Sequence, residues 1–228
     1  MAAETQSLTV EQLRRRWLPH KYRLRALRSD HPTHIRIHRA LSWLGYAEKA
    51  GKPIDYDLAL VTQWIAFNAL YGQWNEAAGE PLHDKECWRV FLERILELDS
   101  DDRIPDVLQS NKRLVMSIFE DRHLSSFFWQ QPTKKRAGQS RKVKYDAQSW
   151  YVGDNWALIL DHVMDRIYLM RCQLVHGAAT YRGKLNRSAL RQCSVMLSHL
   201  LRTMLTILID HGADEDWGIM CYPPIQAQ

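Results

Sequence analysis

The chain has 228 residues, of which 25% are charged and 46% are hydrophobic, and this composition excludes disordered, collagen-like and membrane-embedded classes of protein. The formal net charge of +5 is concentrated in two segments, which favours a polyanionic partner. Four separated cysteines without a CxxC pair exclude a zinc ribbon and predict reduced thiols, as in a cytoplasmic protein.

Residues 1–30 are predicted to form a basic N-terminal extension. Between Glu11 and Arg39 there are nine basic residues against two acidic ones. This end of the chain has no apolar core of a signal peptide, and the most apolar stretch, 195–209, is too short to cross a bilayer and carries a histidine and an arginine. We therefore expect a cytoplasmic protein that does not associate with membranes.

Helical periodicity dominates the rest of the sequence, which contains no alternating apolar run and no Asn-Gly or Asp-Gly hairpin signal. The prediction is an all-α fold, with one helical domain over 31–212 and a C-terminal tail over 213–228. Pro32 begins the first helix, Gly51 and Pro53 stop it, and Asp55 or Asp57 caps the second. Helices are predicted over 33–50, 55–74, 84–98, 105–121, 155–176 and 187–210.

An irregular loop is predicted over 130–154, which is rich in Gln, Lys, Ser and Gly and contains Pro132 and Gly138. Between Lys134 and Lys144 six cations occur without one carboxylate and can neutralise phosphates, although such a run can equally be a solvated surface. Trp129 and Trp150 flank the loop and are candidates to stack on RNA bases. The candidate RNA-binding residues are Lys134, Lys135, Arg136, Arg141, Lys142 and Lys144.

The predicted helix 155–176 ends in the sequence RCQLVHG, which places Arg171 five residues before His176. Guanidinium binds phosphate oxygens and imidazole transfers protons, and both suit metal-independent cleavage of RNA by its own 2′-hydroxyl. The spacing alone favours a helix-capping pair, because both side chains complement the helix dipole. Side chains five apart on a helix point about 140° apart, so a shared pocket requires an unwound helix end at Gly177 or a second subunit.

This sequence resembles the R-x4-6-H motif of the HEPN superfamily, and WIAFNALYGQW at 64–74 is similar to the early core helix of its ApeA-like branch. The resemblance implies an up-and-down helical bundle of HEPN type carrying the basic loop as an insertion. It also implies a homodimer with metal-independent endoribonuclease activity, in which Arg171 and His176 are catalytic. The expected supporting residues are Cys172, Gln173 and Asn68, the last being an amide that either braces the motif helix or bonds to backbone.

The resemblance further implies a role as a toxin or in antiviral defence, together with an antitoxin or defence-system partner protein. The alternative is a non-catalytic HEPN module that binds RNA, a nucleotide or a protein partner, because Cys172 stands where active members often carry Asn, Asp or His. A scaffold that uses its basic N-terminal helix is a third interpretation. No cofactor or metal is expected: His31, His34 and His38 have helical spacing, but no cysteine or carboxylate completes a ligand set.

Overall fold

The computed structural model describes residues 8–28, 30–49, 54–139, 142–184 and 186–222. Helices dominate it, which confirms the all-α prediction. They are α1 (Val10–Leu27), α2 (Pro32–Lys49), α3 (Tyr56–Tyr71), α4 (Asp84–Leu98), α5 (Arg103–Ser110), α6 (Lys112–Glu120), α7 (Ser126–Gln130), α8 (Lys134–Gln139), α9 (Lys142–Val152), α10 (Trp156–Val175) and α11 (Arg187–His211). A 3-10 turn, Arg122–Leu124, lies between α6 and α7, and β1 (Trp74–Asn75) pairs with β2 (Glu80–Pro81) in a short antiparallel hairpin.

Five of the predicted helices are confirmed to within about three residues at each end, which is the usual uncertainty of sequence-based boundaries. Pro32 occupies the first position of α2, where its missing N–H costs nothing. Asp55 caps α3, because its Oδ1 accepts the backbone N–H of Asp57 at 3.1 Å. Gly51 and Pro53, the predicted stop of α2, lie outside the described residues.

The predicted helix 105–121 is instead two helices, α5 and α6, which meet at Asn111. Asn111 has φ −104° and ψ 21°, away from regular helical values. Its side-chain amide donates to the carbonyl of Val107 at 2.9 Å. The same carbonyl also accepts the backbone N–H of Asn111 at 3.1 Å, so the amide adds a second, local bond of the kind by which short polar side chains favour helix ends.

The prediction of an irregular segment over 130–154 is wrong, because α8 and α9 occupy most of it. Ala147 and Tyr151 lie one turn apart on α9 and are both buried. The Tyr151 hydroxyl donates to the backbone carbonyl of Leu108 at 3.0 Å. A narrow apolar face therefore holds α9 in place, although polar residues outnumber apolar ones in the segment.

The chain divides into two compact units, each built from separate stretches of sequence, where one domain over 31–212 was expected. In the first unit, whose described part is 54–61, 102–139, 142–184 and 186–200, α10 packs against α5, α6, α9 and the 3-10 turn. The apolar stripe of α10 that faces the core is fully buried, and burial of each of these side chains stabilises the fold by about 1.5–3 kcal/mol. The stripe consists of Ile159, Leu160, Val163, Met164 and Ile167.

The second unit, whose described part is 8–28, 30–49, 62–101 and 201–222, contains both predicted terminal extensions. Within the N-terminal 30 residues, α1 packs on α2 through a buried stripe at Val10, Leu13, Trp17 and Leu24. Trp217 and Met220, in the predicted tail, are also buried. The described parts of both extensions therefore belong to the packed core of this unit.

A buried arginine joins two segments of the second unit. Arg36, on α2, is 1% exposed. Its Nη1 donates to the carbonyls of Leu70 at 3.1 Å and Gly72 at 2.7 Å, at the end of α3. Its Nη2 donates to the carbonyls of Trp217 and Gly218, both at 3.1 Å. Burial lowers the pKa of Arg36 to about 10, so the guanidinium remains charged at neutral pH.

Helix α11 is long and apolar enough to cross a bilayer by length and composition. Most of its apolar window is buried inside the protein, as in the core helix of a soluble protein. All four cysteines are free thiols, and Cys87 and Cys193 are buried.

Candidate active site at the end of α10

Helix α10 ends where the sequence predicted, and backbone groups close it. His176 is the C-cap residue, and its own N–H donates to the Cys172 carbonyl at 3.0 Å. Gly177 follows with φ +70°, and the N–H groups of Gly177 and Ala178 donate to the carbonyls of Leu174 and Gln173 at 3.1 and 2.9 Å. This pair of bonds is a Schellman motif. It satisfies the helix end without either motif side chain.

Arg171 and His176 do not share a pocket within one chain. The His176 N–H makes a regular i to i−4 bond to the Cys172 carbonyl, so the helix does not unwind before His176, and helix geometry places the two side chains about 140° apart. The Arg171 guanidinium lies over the Tyr168 ring at 5.9 Å, and its Nη1 is 4.0 Å from the Cys172 Sγ. His176 is exposed. Within the described part of the chain, neither motif side chain pairs with a carboxylate.

Gln173 holds α10 to two neighbouring segments through hydrogen bonds on another side of the helix. Its amide nitrogen donates to the His123 carbonyl at 2.7 Å, and its amide oxygen accepts from the Asn186 side chain at 3.2 Å. One side chain therefore ties α10 to the 3-10 turn and to the start of α11. Cys172 is half-buried beside Arg171. Asn68 lies in the second unit, so its expected role in bracing the motif helix stays a prediction.

A histidine that sequence reasoning missed lies in the 3-10 turn. The backbone N–H of His123 donates to the Asp121 carboxylate at 2.8 Å, and its ring Nδ1 is 3.4 Å from the same oxygen, Oδ1. The Arg122 Nε–H donates to the ring Nε2 at 3.3 Å. The Trp129 indole N–H donates to the His123 carbonyl at 2.8 Å. We call Asp121, Arg122, His123 and Trp129 the His123 cluster. Only Trp129 carried a signal in the sequence, as a residue flanking the basic segment.

A second set of polar contacts holds the loop that follows His176. The Asp55 Oδ2 accepts from the Tyr181 hydroxyl at 2.5 Å and from the Arg182 Nη2 at 3.1 Å. Although burial opposes it, hydrogen bonding from Tyr181 and the charge of Arg182 hold the pKa of Asp55 below its usual range. Arg187, at the start of α11, pairs with Asp57 at 2.7 Å. The N-terminal end of α3 thus anchors both the loop and the next helix.

The predicted RNA-binding cations fall into two groups. Arg136 donates to the Phe127 carbonyl at 3.1 Å and lies over that ring at 4.2 Å, while Lys144 pairs with Glu120 at 2.7 Å. Arg141 lies outside the described residues. The remaining three are exposed and form no ion pair with a described residue: Lys134, Lys135 and Lys142.

An open groove of about 650 Å³ runs between α6 and α9 in the first unit. Three cations, Lys112, Arg113 and Lys144, line it together with one carboxylate, Glu120. The apolar side chains of Met116 and Val152 complete its walls. The groove therefore combines a net positive charge with apolar surface, a combination suited to a polyanionic chain.

No group of three His, Cys, Asp or Glu side chains among the described residues is placed to hold a metal ion. His34 and His38 lie one turn apart on α2, with ring centroids 6.2 Å from each other. The chain matches no family model, no curated protein and no solved structure.

Proposed function

We propose that this protein is a metal-independent endoribonuclease of HEPN type that acts as a homodimer. The observation that carries the proposal is the combination of an exposed His176 and a half-buried Arg171 at a helix end that backbone N–H groups already close. A purely structural pair would be expected to cap the helix or to pair with a carboxylate, and neither motif side chain does so among the described residues. The two side chains therefore remain free for a ligand.

The chemistry follows from the two side-chain types. Arg171 carries a fixed positive charge with several N–H donors, which suits the oxygens of the pentacoordinate phosphorus that forms during cleavage. His176 can donate a proton to the departing 5′-oxygen. Attack by the neighbouring 2′-hydroxyl then leaves a 2′,3′-cyclic phosphate and a 5′-hydroxyl.

A second copy of the chain supplies what one copy lacks. Because Arg171 and His176 of one helix point about 140° apart, a single phosphate cannot readily meet both. A two-fold interface repeats the same surface patch on both subunits, so one copy's Arg171 meets the other copy's His176 when the ends of two α10 helices approach. The composite cleft then contains two copies of each group.

RNA is the polyanion that this site and its surroundings suit best. The exposed side chains of Lys134, Lys135 and Lys142 supply charge for phosphate contact, and the groove between α6 and α9 adds three more cations. Trp129 is 46% exposed and offers a ring face for base stacking. A cytoplasmic location and a role as a toxin or in antiviral defence, with an antitoxin or defence-system partner, belong to the proposal through the HEPN resemblance.

Cleavage of a mixed RNA pool in EDTA by the full-length chain tests the proposal. Wild type is expected to produce 2′,3′-cyclic phosphate ends, and Arg171→Ala and His176→Ala are each expected to abolish them while leaving RNA affinity largely intact. His83→Ala, an exposed histidine in the second unit, serves as the matched control. Sedimentation checks the dimer, since a fully active monomer contradicts the composite site. RNA binding without cleavage by a folded dimer favours the non-catalytic module.

A further inference from the structure

We infer that His123 is a second catalytic histidine, which acts as the general base opposite His176 of the same subunit in RNA cleavage. This inference rests on the proposed function and adds a residue to its site. Cleavage through the 2′-hydroxyl needs one group to remove a proton and another to deliver one. Each copy of the R-x4-H motif contains a single imidazole, so a base supplied by the same subunit has to come from outside the motif.

Gln173 places the 3-10 turn beside the end of α10. Its amide nitrogen bonds the His123 carbonyl at 2.7 Å, so the backbone of His123 lies against this face of the helix. His176 follows Gln173 by three residues, and residues three apart are neighbours on a helix surface. Arg171 points about 160° away from Gln173. Helix geometry therefore places the backbone of His123 and the side chain of His176 on the same side of α10, and Arg171 on the other.

The contacts of the His123 ring favour one tautomer. Nδ1 lies 3.4 Å from the Asp121 carboxylate, which favours a proton on that nitrogen. Nε2 accepts the Nε–H of Arg122 at 3.3 Å, so this nitrogen carries a lone pair. A carboxylate behind one nitrogen and a lone pair on the other is the arrangement that a general base requires. The His123 side chain is 31% exposed, so part of it is open to a substrate.

Arg122 can bind a phosphate of the substrate next to His123. Its side chain is exposed and carries further N–H donors besides the one that meets His123. A phosphate oxygen that accepts the Nε–H in place of His123 Nε2 leaves the lone pair of His123 free. In the proposed site, the same contact therefore positions the phosphate and makes Nε2 available as the base.

His123 and His176 together account for both proton transfers of the reaction. His123 Nε2 takes the proton of the 2′-hydroxyl as the 2′-oxygen bonds to phosphorus. The bond from phosphorus to the 5′-oxygen breaks, and protonated His176 gives its proton to that oxygen. His123 ends protonated and His176 neutral, and a proton exchange with water restores both.

The test compares single-turnover cleavage of a synthetic oligoribonucleotide by wild type, His123→Gln, His123→Ala and Asp121→Asn. His123→Gln keeps a side chain of similar size and is expected to lower the rate by about 10²–10⁴-fold, the usual contribution of a general base. It also removes the acidic limb of the pH–rate profile. Added imidazole is expected to restore part of the rate in His123→Ala. Asp121→Asn keeps the cap of the turn and loses the charge, so a smaller decrease is expected.

Three results overturn the inference and differ from one another. If His123→Gln retains the wild-type rate and pH profile while His176→Ala is inactive, the proposed function stands and His123 is not its base. If both His123 variants are inactive and imidazole restores nothing in His123→Ala, His123 has a structural role only. If folded wild type cleaves no RNA, the proposed function fails and this role fails with it. Circular dichroism of each variant checks the fold.

Discussion

Replacing Arg36 by methionine measures how much the second unit depends on one buried guanidinium. Methionine fills a similar length of the cavity, so the change removes charge and hydrogen bonds with little loss of packing. Four backbone carbonyls lose a donor: those of Leu70, Gly72, Trp217 and Gly218. The cost depends on how many of these carbonyls still have another hydrogen-bond donor.

Two of the four carbonyls remain satisfied. Gly72 still accepts the N–H of Cys221 at 3.2 Å, and the Gly218 bond is only partly buried, so water can replace it. The carbonyls of Leu70 and Trp217 stay buried, and each costs about 1–3 kcal/mol without a donor. Removing a charge whose pKa burial has lowered to about 10 returns part of this cost. We expect a net loss of about 2–4 kcal/mol in the free energy of unfolding.

Urea unfolding followed by far-ultraviolet circular dichroism measures the difference. Arg36→Met is expected to lower the midpoint with an unchanged slope, which separates lost stability from a changed denatured state. Arg25→Met, at an exposed position of α1, is the matched control and is expected to stay within about 0.5 kcal/mol of wild type. An Arg36→Met variant as stable as wild type would show that desolvation of the charge outweighs its four bonds.

Three more predictions concern the stability in acid, the loop after His176 and the exposed lysines. Burial lowers the folded-state pKa of His31 and His34 below the ordinary value of 6.5, so the unfolded chain binds more protons in acid. Their contribution to stability is complete above the ordinary value and is lost as the pH falls from there through the lower folded-state pKa, which lowers the urea midpoint. Asp55→Asn removes the charge that holds Arg182, so trypsin is expected to cleave after Arg182 faster, with about 1 kcal/mol or less lost in unfolding free energy. Exchanging three cations for glutamine is expected to lower the slope of log affinity for RNA against log salt by about 2, because each single-strand phosphate contact contributes about 0.7. These cations are Lys134, Lys135 and Lys142.

Each of these expectations has a matched comparison. The double variant His31→Gln, His34→Gln is expected to flatten the pH dependence, and an equally steep profile would assign it to other groups. Glu76→Gln, in the hairpin of the second unit, is expected to leave tryptic cleavage after Arg182 unchanged. Arg136→Gln is expected to leave the salt slope unchanged, because Arg136 already bonds the Phe127 carbonyl. An equal effect of Arg136→Gln would contradict the division of the cations into two groups.

The sequence predicted those helices whose signals are local. Pro32 and Asp55 mark helix starts through backbone chemistry that depends on a few neighbours, and Gly177 marks an end in the same way. The apolar stripe of α10 is equally local. Such features are readable because the residues that define them lie within one or two turns of each other.

The errors arose where tertiary packing overrides composition. Helix α9 is held by Ala147 and Tyr151, two apolar positions within a polar and basic segment, and the partner that makes them decisive is the distant carbonyl of Leu108. The break at Asn111 is accompanied by a side-chain bond and by backbone dihedrals that apolar periodicity does not report. Both features carried weak local signals, and the contacts that settle them come from elsewhere in the chain.

The sequence predicted only part of the candidate site, for the same reason. Arg171 and His176 stand in one short motif, so their spacing could be recognised. His123 is about fifty residues away in sequence, and only the bond from Gln173 to its carbonyl brings it to the motif helix. A lone histidine after an aspartate has no distinctive pattern.

The backbone closure of α10 has a consequence for how this protein can change over evolutionary time. Because Gly177 and the main-chain N–H groups complete the helix end, the imidazole of His176 contributes little to folding. Under the proposed function, a chain that loses this histidine should therefore keep its shape and its affinity for RNA. In the proposed nuclease one substitution switches off catalysis at almost no structural cost, so such an enzyme can give rise to an inactive binding protein, and the reverse step is equally short.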